Sequence, residues 1–243
     1  EDRIRSLLHK EPLTSARPAD STAHSRSNAR AEGVKIMAKI LIAGNNVMTL
    51  INFRKDLIQY WVKSGHEVVA VAPVPEEKDN LKGMAHENGF TDALHKLGAS
   101  FVPWKASRCG FNPASELLSI FRMIKILRKE HPDILFSYNL KPNTYVSVSA
   151  NFLRPKPVIF SLITGLGYAF RGKCFKQKFF SFCLSSLLQI ALLNNKKVFF
   201  QNKDDRDLFI RKRIIFSPQK TEVVNGTGVN LEEFEFQGPK VNP

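Results

Sequence analysis

Gly44, Asn45 and Asn46 stand between an apolar run, Lys39–Ala43, and a segment of helical period. A strand-to-helix turn of this kind turns backbone N–H groups and the positive end of a helix dipole toward an anion. Glycine lets a ligand come close to the backbone, and the asparagines can cap the helix or donate to an oxygen. The G-x-G-x-x-G fingerprint of a dinucleotide site is missing, so an ordinary Asn-capped turn is the competing reading. Lys141, within Ser137–Tyr145, is either a compact charge for a phosphate or a solvated loop lysine, and Pro142 with Asn143 starts the next helix. Gly165 and Gly167 flank Leu166, with Tyr168 and Phe170 beyond them. Those glycines permit positive φ and close ligand approach; the aromatics line a groove or pack in the core. Gly226 and Gly228 lie in Asn225–Asn230, which is either a set of N–H groups facing an anion or a flexible hinge.

The totals narrow the setting of these residues. A chain of 243 residues that is 43% hydrophobic can bury a sizeable core, and nothing suggests overall disorder. A net charge of +14 implies an acidic partner: nucleic acid, anionic lipid or a phosphorylated substrate. Cys109, Cys174 and Cys183 are few, odd in number and far apart, which fits a reducing compartment better than a disulfide framework. The six histidines are scattered and form no metal-ligand spacing. Residues 1–36 are polar, with little periodicity and no apolar centre of a signal peptide; they read as a disordered extension, with Met37 a candidate start.

From Met37 onward short β-rich runs alternate with helical segments. Strands are expected at 39–43, 67–73, 99–104, 134–138, 157–163, 197–202 and 221–225. A helix starting near Thr49 carries the stripe Leu50, Phe53, Leu57, Ile58 and Trp61 and stops at Gly65. A polar helix falls within 75–98. A further helix over 114–130 sets Leu117, Leu118, Phe121, Ile124 and Leu127 on one side. Others cover 143–153, 174–193 and 204–213, the last capped by Asn202. The alternation with continuous apolar strands argues an α/β fold, a parallel sheet with helices on both faces. Ligands in such sheets sit beyond the carboxyl ends of the strands, where residues 44–48, 139–143, 164–172 and 226–228 all fall.

The segments GHEVVAVAP, LKPNTYVSVSA, ITGLGYAF, VFFQNKDDRDLFI and VVNGTGVNLEEFE, in this order, resemble the amino-terminal half of family-4-type glycosyltransferases that build capsule, O-antigen and related lipid-linked glycans. The resemblance covers about residues 38–236. It implies a GT-B fold of which this chain is one half: a Rossmann-like acceptor-side domain over 37–230, and a linker over 231–243 toward a donor-binding domain in the same or a separate chain. It implies a retaining hexosyl transfer without a bound metal or cofactor, from a nucleotide-sugar, a UDP-sugar by preference, to a lipid-linked glycan. By motif position, substrate would meet Gly44, Asn45, Asn46, Asn139, Lys141, Asn143, Gly165, Gly167 and Tyr168, with Gly226 and Gly228 at the hinge. Many relatives carry a histidine after the fourth strand; here that loop reads YNLKPN, and the amide of Asn139 cannot act as a general base. No catalytic residue follows.

The segment 173–197 has an apolar middle between lysines. It is short for a spanning helix and reads either as a core helix or as an interfacial one toward anionic headgroups. The function expected is the acceptor-binding half of a glycosyltransferase, inactive alone, peripheral at the cytoplasmic face of a membrane. The alternative is a non-catalytic partner that recruits a separate donor-binding subunit to lipid. A nucleic-acid binder is weaker, because the basic residues are dispersed and no recognition motif is present.

Overall fold

The computed structural model of the chain describes residues 37–74, 87–106, 113–166 and 175–226, without the side chains of 87, 88, 113 and 175–182. The expectations for residues 1–36, Gly167, Tyr168, Gly228 and 231–243 lie outside the described residues.

The apolar runs pair into a seven-stranded sheet of order β3-β2-β1-β4-β5-β6-β7. The strands are β1 (Lys39–Ala43), β2 (Glu67–Ala72), β3 (Ser100–Pro103), β4 (Ile134–Tyr138), β5 (Val158–Ile163), β6 (Lys197–Phe200) and β7 (Thr221–Val223). Every pair is parallel, with Ile40 opposite Val68 on one side and Ile134 on the other. A parallel sheet is covered on both faces, which is why these strands are apolar at consecutive positions rather than alternating. β1 and β4 start and end where the apolar runs do; the other strands are shorter than expected by one or two residues.

The helices are α1 (Val47–Phe53), α2 (Lys55–Lys63), α3 (Glu87–Lys96), α4 (Pro113–Glu130), α5 (Leu140–Ala150), α6 (Phe175–Leu192) and α7 (Lys203–Arg211). The segment expected as one helix through Trp61 is two, because Arg54 leaves helical geometry at φ −129°, ψ 3°. Leu50, Leu57, Ile58 and Trp61 are buried as expected, while Phe53 at the break faces solvent. Gly65 ends α2 at φ +83°, where its N–H bonds Val62 O and that of His66 bonds Trp61 O. This left-handed cap satisfies two late carbonyls, and glycine takes it without a Cβ penalty.

Residues on alternate sides of the strands form two cores. Ile40, Ile42, Val68, Ala70 and Phe136 pack with Leu50, Leu57, Trp61 and Leu94 of α1, α2 and α3. On the opposite face Leu41, Val69, Leu135 and Ile159 meet Met123, Leu127, Tyr145 and Val146 of α4 and α5. Further along that face Ile163, Val198 and Phe200 meet Leu184, Leu188 and Phe209 of α6 and α7. Each such side chain contributes on the order of 2 kcal/mol when fully buried.

The expected apolar side of α4 is corrected in part. Ile124 and Leu127 face the core, together with Ser119 and Met123, but Leu117, Leu118 and Phe121 turn to solvent. α6 packs through Leu184, Leu188, Ala191 and Leu192, and leaves Leu187 and Ile190 exposed. Among the described residues no helix is long and apolar enough to cross a membrane.

Candidate functional site

The strand order creates one crevice by connectivity. β1 leads outward to β2 and β3, and the chain then crosses back to place β4 on the other side of β1. Loops diverge there at the carboxyl edge, which is where ligands bind in open α/β sheets. The turn after β1 and the residue after β4 flank this point, and β5 ends beside them.

Three side chains join these loops. Asn139 Nδ2 donates to Asn45 Oδ1 at 2.8 Å. On its other side the Thr164 hydroxyl donates to Asn139 Oδ1. Asn139 is held at φ +71°, ψ 154°, a region that side-chain-bearing residues rarely enter. Its backbone N–H continues the ladder to Leu162 O at 3.1 Å. These two bonds hold the strained residue in place, and Asn45 is exposed with Asn139 and Thr164 half-buried. The result is a neutral rim of amides and a hydroxyl with spare donors and acceptors, suited to hydroxyl-rich or carbonyl ligands.

Gly44 lies under this rim for a reason internal to the protein. A Cβ built there would stand 2.2 Å from the Tyr138 hydroxyl and 2.6 Å from its ring carbon Cζ. The glycine therefore admits Tyr138 rather than a ligand, which corrects the sequence expectation. Thr49 Oγ1 donates to Asn46 O at 2.7 Å, so its 2.8 Å bond with Tyr138 is donated by the phenol. The Arg54 guanidinium lies 4.8 Å from the Tyr138 ring centroid. Burial pushes the Tyr138 phenol up to about 12, partly offset by that nearby charge, so it is neutral at physiological pH.

The start of α1 is likewise corrected as an open anion site. Val47 N donates to Pro73 O, Met48 N to Asn46 Oδ1 and Thr49 N to Asn46 O. The cap expected of Asn46 is present, but it and its neighbours use the N–H groups that an anion would need.

Asn143 is also displaced from the cleft edge. It is fully buried, accepting from Ser137 Oγ at 2.7 Å and donating to Leu162 O at 3.0 Å, and it locks α5 to β4 and β5. Lys141 sits near the rim, but its ammonium is paired with Glu116 of α4 at 2.9 Å. The other Glu116 oxygen accepts from the Tyr145 hydroxyl. Burial first, then the Glu116 carboxylate, raises the Tyr145 phenol well above its ordinary value. Gly165 differs from Gly44: among the described residues nothing lies within 4 Å of a Cβ built on it. Packing by the described residues does not demand that glycine. Gly226 has φ +68° just after β7.

The structure thus brings Asn45, Asn139 and Gly165 together, with Lys141 close in the chain and engaged by Glu116. Sequence reasoning missed Thr164, Glu116 and Tyr138; only Thr164 had a signal, its place between an apolar strand and a glycine. Among the described residues no group of His, Cys, Asp or Glu side chains could hold a metal ion.

Residues 39–202 match the family model described as glycosyl transferase 4-like. This chain belongs to that family. A relative in Campylobacter jejuni, N,N'-diacetylbacillosaminyl-diphospho-undecaprenol alpha-1,3-N-acetylgalactosaminyltransferase, is 24% identical over 164 residues, 68% of this chain and 43% of that protein. A glycosyltransferase from Rickettsia africae superposes with a TM-score of 0.50 at 14% identity, over 84% of this chain and 47% of that one. UDP-N-acetylglucosamine 2-epimerase from Rickettsia bellii gives a TM-score of 0.50 at 16% identity, over 77% of this chain and 44% of that one. The structural likenesses establish the fold, which transferase and epimerase share. The chain spans less than half the length of each of these relatives.

Proposed function

We propose that this glycosyl transferase 4-like chain is the acceptor-side half of a retaining glycosyltransferase that acts on a lipid-linked glycan. The family match over 39–202 carries the reading, since the fold alone also serves an epimerase. The Campylobacter relative is named for transfer to a diphospho-undecaprenol-linked sugar, which favours the same acceptor class here. The donor, a UDP-sugar by preference, is held by a second domain in the same or a separate chain; the coverage of under half of each relative supports this.

In this reading the rim of Asn45, Asn139 and Thr164 receives hydroxyl and acetamido groups of the acceptor, and Gly165 leaves space for the sugar beside it. Asn46 and Gly44 shape the turn, Lys141 and Glu116 brace α4 against α5, and Gly226 lies toward the hinge. None of the rim side chains is an acid or base, so this wall binds and orients. The acceptor places the enzyme peripherally at the cytoplasmic membrane face.

The test is transfer from a UDP-sugar to an undecaprenyl-diphosphate-linked sugar by this chain combined with a matching donor domain, beside each half alone. Transfer only by the pair, with the product keeping the donor's anomeric configuration, is expected. No transfer by the pair across a panel of UDP-sugars, or an epimerised free sugar nucleotide as product, rules the reading out.

A further inference from the structure

From the outward face of α4 we infer a docking surface for an anionic phospholipid bilayer. The face has two halves. Ala114, Leu117, Leu118 and Phe121 share one side at three- and four-residue spacings, and the last three are 56%, 47% and 55% exposed. Lys125, Arg128 and Lys129 continue the same side toward the helix end, all exposed. Large apolar side chains held in water on a packed helix mark a surface that is covered in use.

Charge selects the occupant. Both acids of α4 turn inward: Glu116 to Lys141 and Tyr145, and Glu130 to Lys39 at 3.0 Å. Asp133, just beyond the helix, accepts from the backbone N–H of Lys39. The bordering segments 104–106 and 151–157 contain Lys105, Arg154 and Lys156 and no acid, and Arg122 donates to Lys105 O. A cleft of about 130 Å³ lies at the basic end of this face, lined by Arg128, Arg154 and Lys156 together with His131 and Asp133. Apolar side chains beside a band in which Lys125, Arg128, Lys129, Arg154 and Lys156 outnumber the one acid lining the cleft, Asp133, complement an acyl boundary under anionic headgroups. The apolar end adjoins Glu116, whose partner Lys141 is two residues beyond Asn139. Insertion at that end therefore brings the rim down to the lipid surface. Only that last consequence rests on the proposed function. The sequence left α6 open between a core and an interfacial helix, and its exposed Leu187 and Ile190 provide the internal control.

Cosedimentation with phosphatidylglycerol–phosphatidylcholine vesicles, beside phosphatidylcholine alone, tests the surface. The parent chain binds the anionic vesicles and is released by salt. Leu117→Ser with Phe121→Ser weakens binding by at least about tenfold. Lys125→Gln, Arg128→Gln and Lys129→Gln each weaken it by about fivefold. Leu187→Ser with Ile190→Ser leaves it unchanged. All these side chains are exposed, and circular dichroism verifies the fold of each variant. Absent binding to anionic vesicles at low salt, unchanged binding by the α4 variants, or an equal loss in the α6 control overturns the inference. So does a dimer that Leu117→Ser with Phe121→Ser dissociates without affecting vesicle binding, since the face then joins two copies. Vesicle binding needs neither donor nor acceptor. Binding without sugar transfer therefore removes only the proposed function, and transfer to detergent-dissolved acceptor without vesicle binding removes only this surface.

Discussion

Asn139 and Asn45, 94 residues apart in the chain, are joined by a 2.8 Å hydrogen bond across the point where the loops of β1 and β4 diverge. The bond pins a residue in strained geometry, and that strain separates folding from function. Asn139→Ala loses the bonds to Asn45 and Thr164 and keeps the strain, lowering stability by about 1–3 kcal/mol. Asn139→Gly loses the same bonds but relaxes the backbone, so it is the more stable variant by about 1 kcal/mol. Urea unfolding of the two variants gives this order directly. A more stable alanine variant would show that the backbone at 139 is not strained.

Gly44 and Tyr138 define a second contact. In Gly44→Ala the new methyl meets a phenol that is buried and hydrogen-bonded, so it cannot swing aside. Overpacking of this kind costs about 1–3 kcal/mol. Thermal melting detects the loss, and Tyr138→Leu introduced with Gly44→Ala restores part of it. Purely additive effects of the two changes would mean that the alanine clashes elsewhere.

Two links hold Glu116, to Lys141 and to Tyr145. Its carboxylate is mostly shielded, so Lys141→Met leaves a poorly solvated charge and lowers stability by about 1–2 kcal/mol. Glu116→Gln with Lys141→Met together costs less than the sum of the single changes. A double-mutant cycle by urea unfolding measures the coupling, and a value near zero would mean the pair is solvated and idle.

The position of Tyr138 predicts a loss of stability in alkali. The phenol is raised from 10.0 to about 12 on folding, so the unfolded chain gives up this proton first. Stability from this group is complete below pH 10 and falls as pH rises toward 12, by about 3 kcal/mol if the shift is fully expressed. Tyr145 is raised too and acts in the same direction. Tyr138→Phe starts about 1 kcal/mol less stable through loss of the bond to Thr49, but declines less steeply through this window. Parallel pH profiles for parent and variant would show that Tyr138 is not protected from ionisation.

Much of the fold was legible because a parallel sheet writes itself as short apolar runs; β1 and β4 begin and end where those runs do. Helix positions were legible from period, but the buried side of α4 was not. Both of its sides carry large apolar residues, and only packing shows that Met123 and Leu127 face inward while Leu117 and Phe121 do not. The site was partly legible, since loops at the carboxyl edge are the sequence of a ligand-binding crevice. Residue type did not separate Asn139, at the rim, from Asn143, four positions on and fully buried. Nor did residue type reveal that Gly44 makes room for Tyr138 within the protein.

The central claim is that the rim of Asn45, Asn139 and Thr164 is the acceptor wall. Its most direct test is calorimetric affinity of the chain for a detergent-dissolved undecaprenyl-diphosphate-linked sugar, measured for the parent and for folded Asn139→Gly. Loss of the rim's hydrogen bonds is expected to weaken binding by about tenfold, the worth of one to two such bonds. Equal affinity in the folded variant would contradict the account.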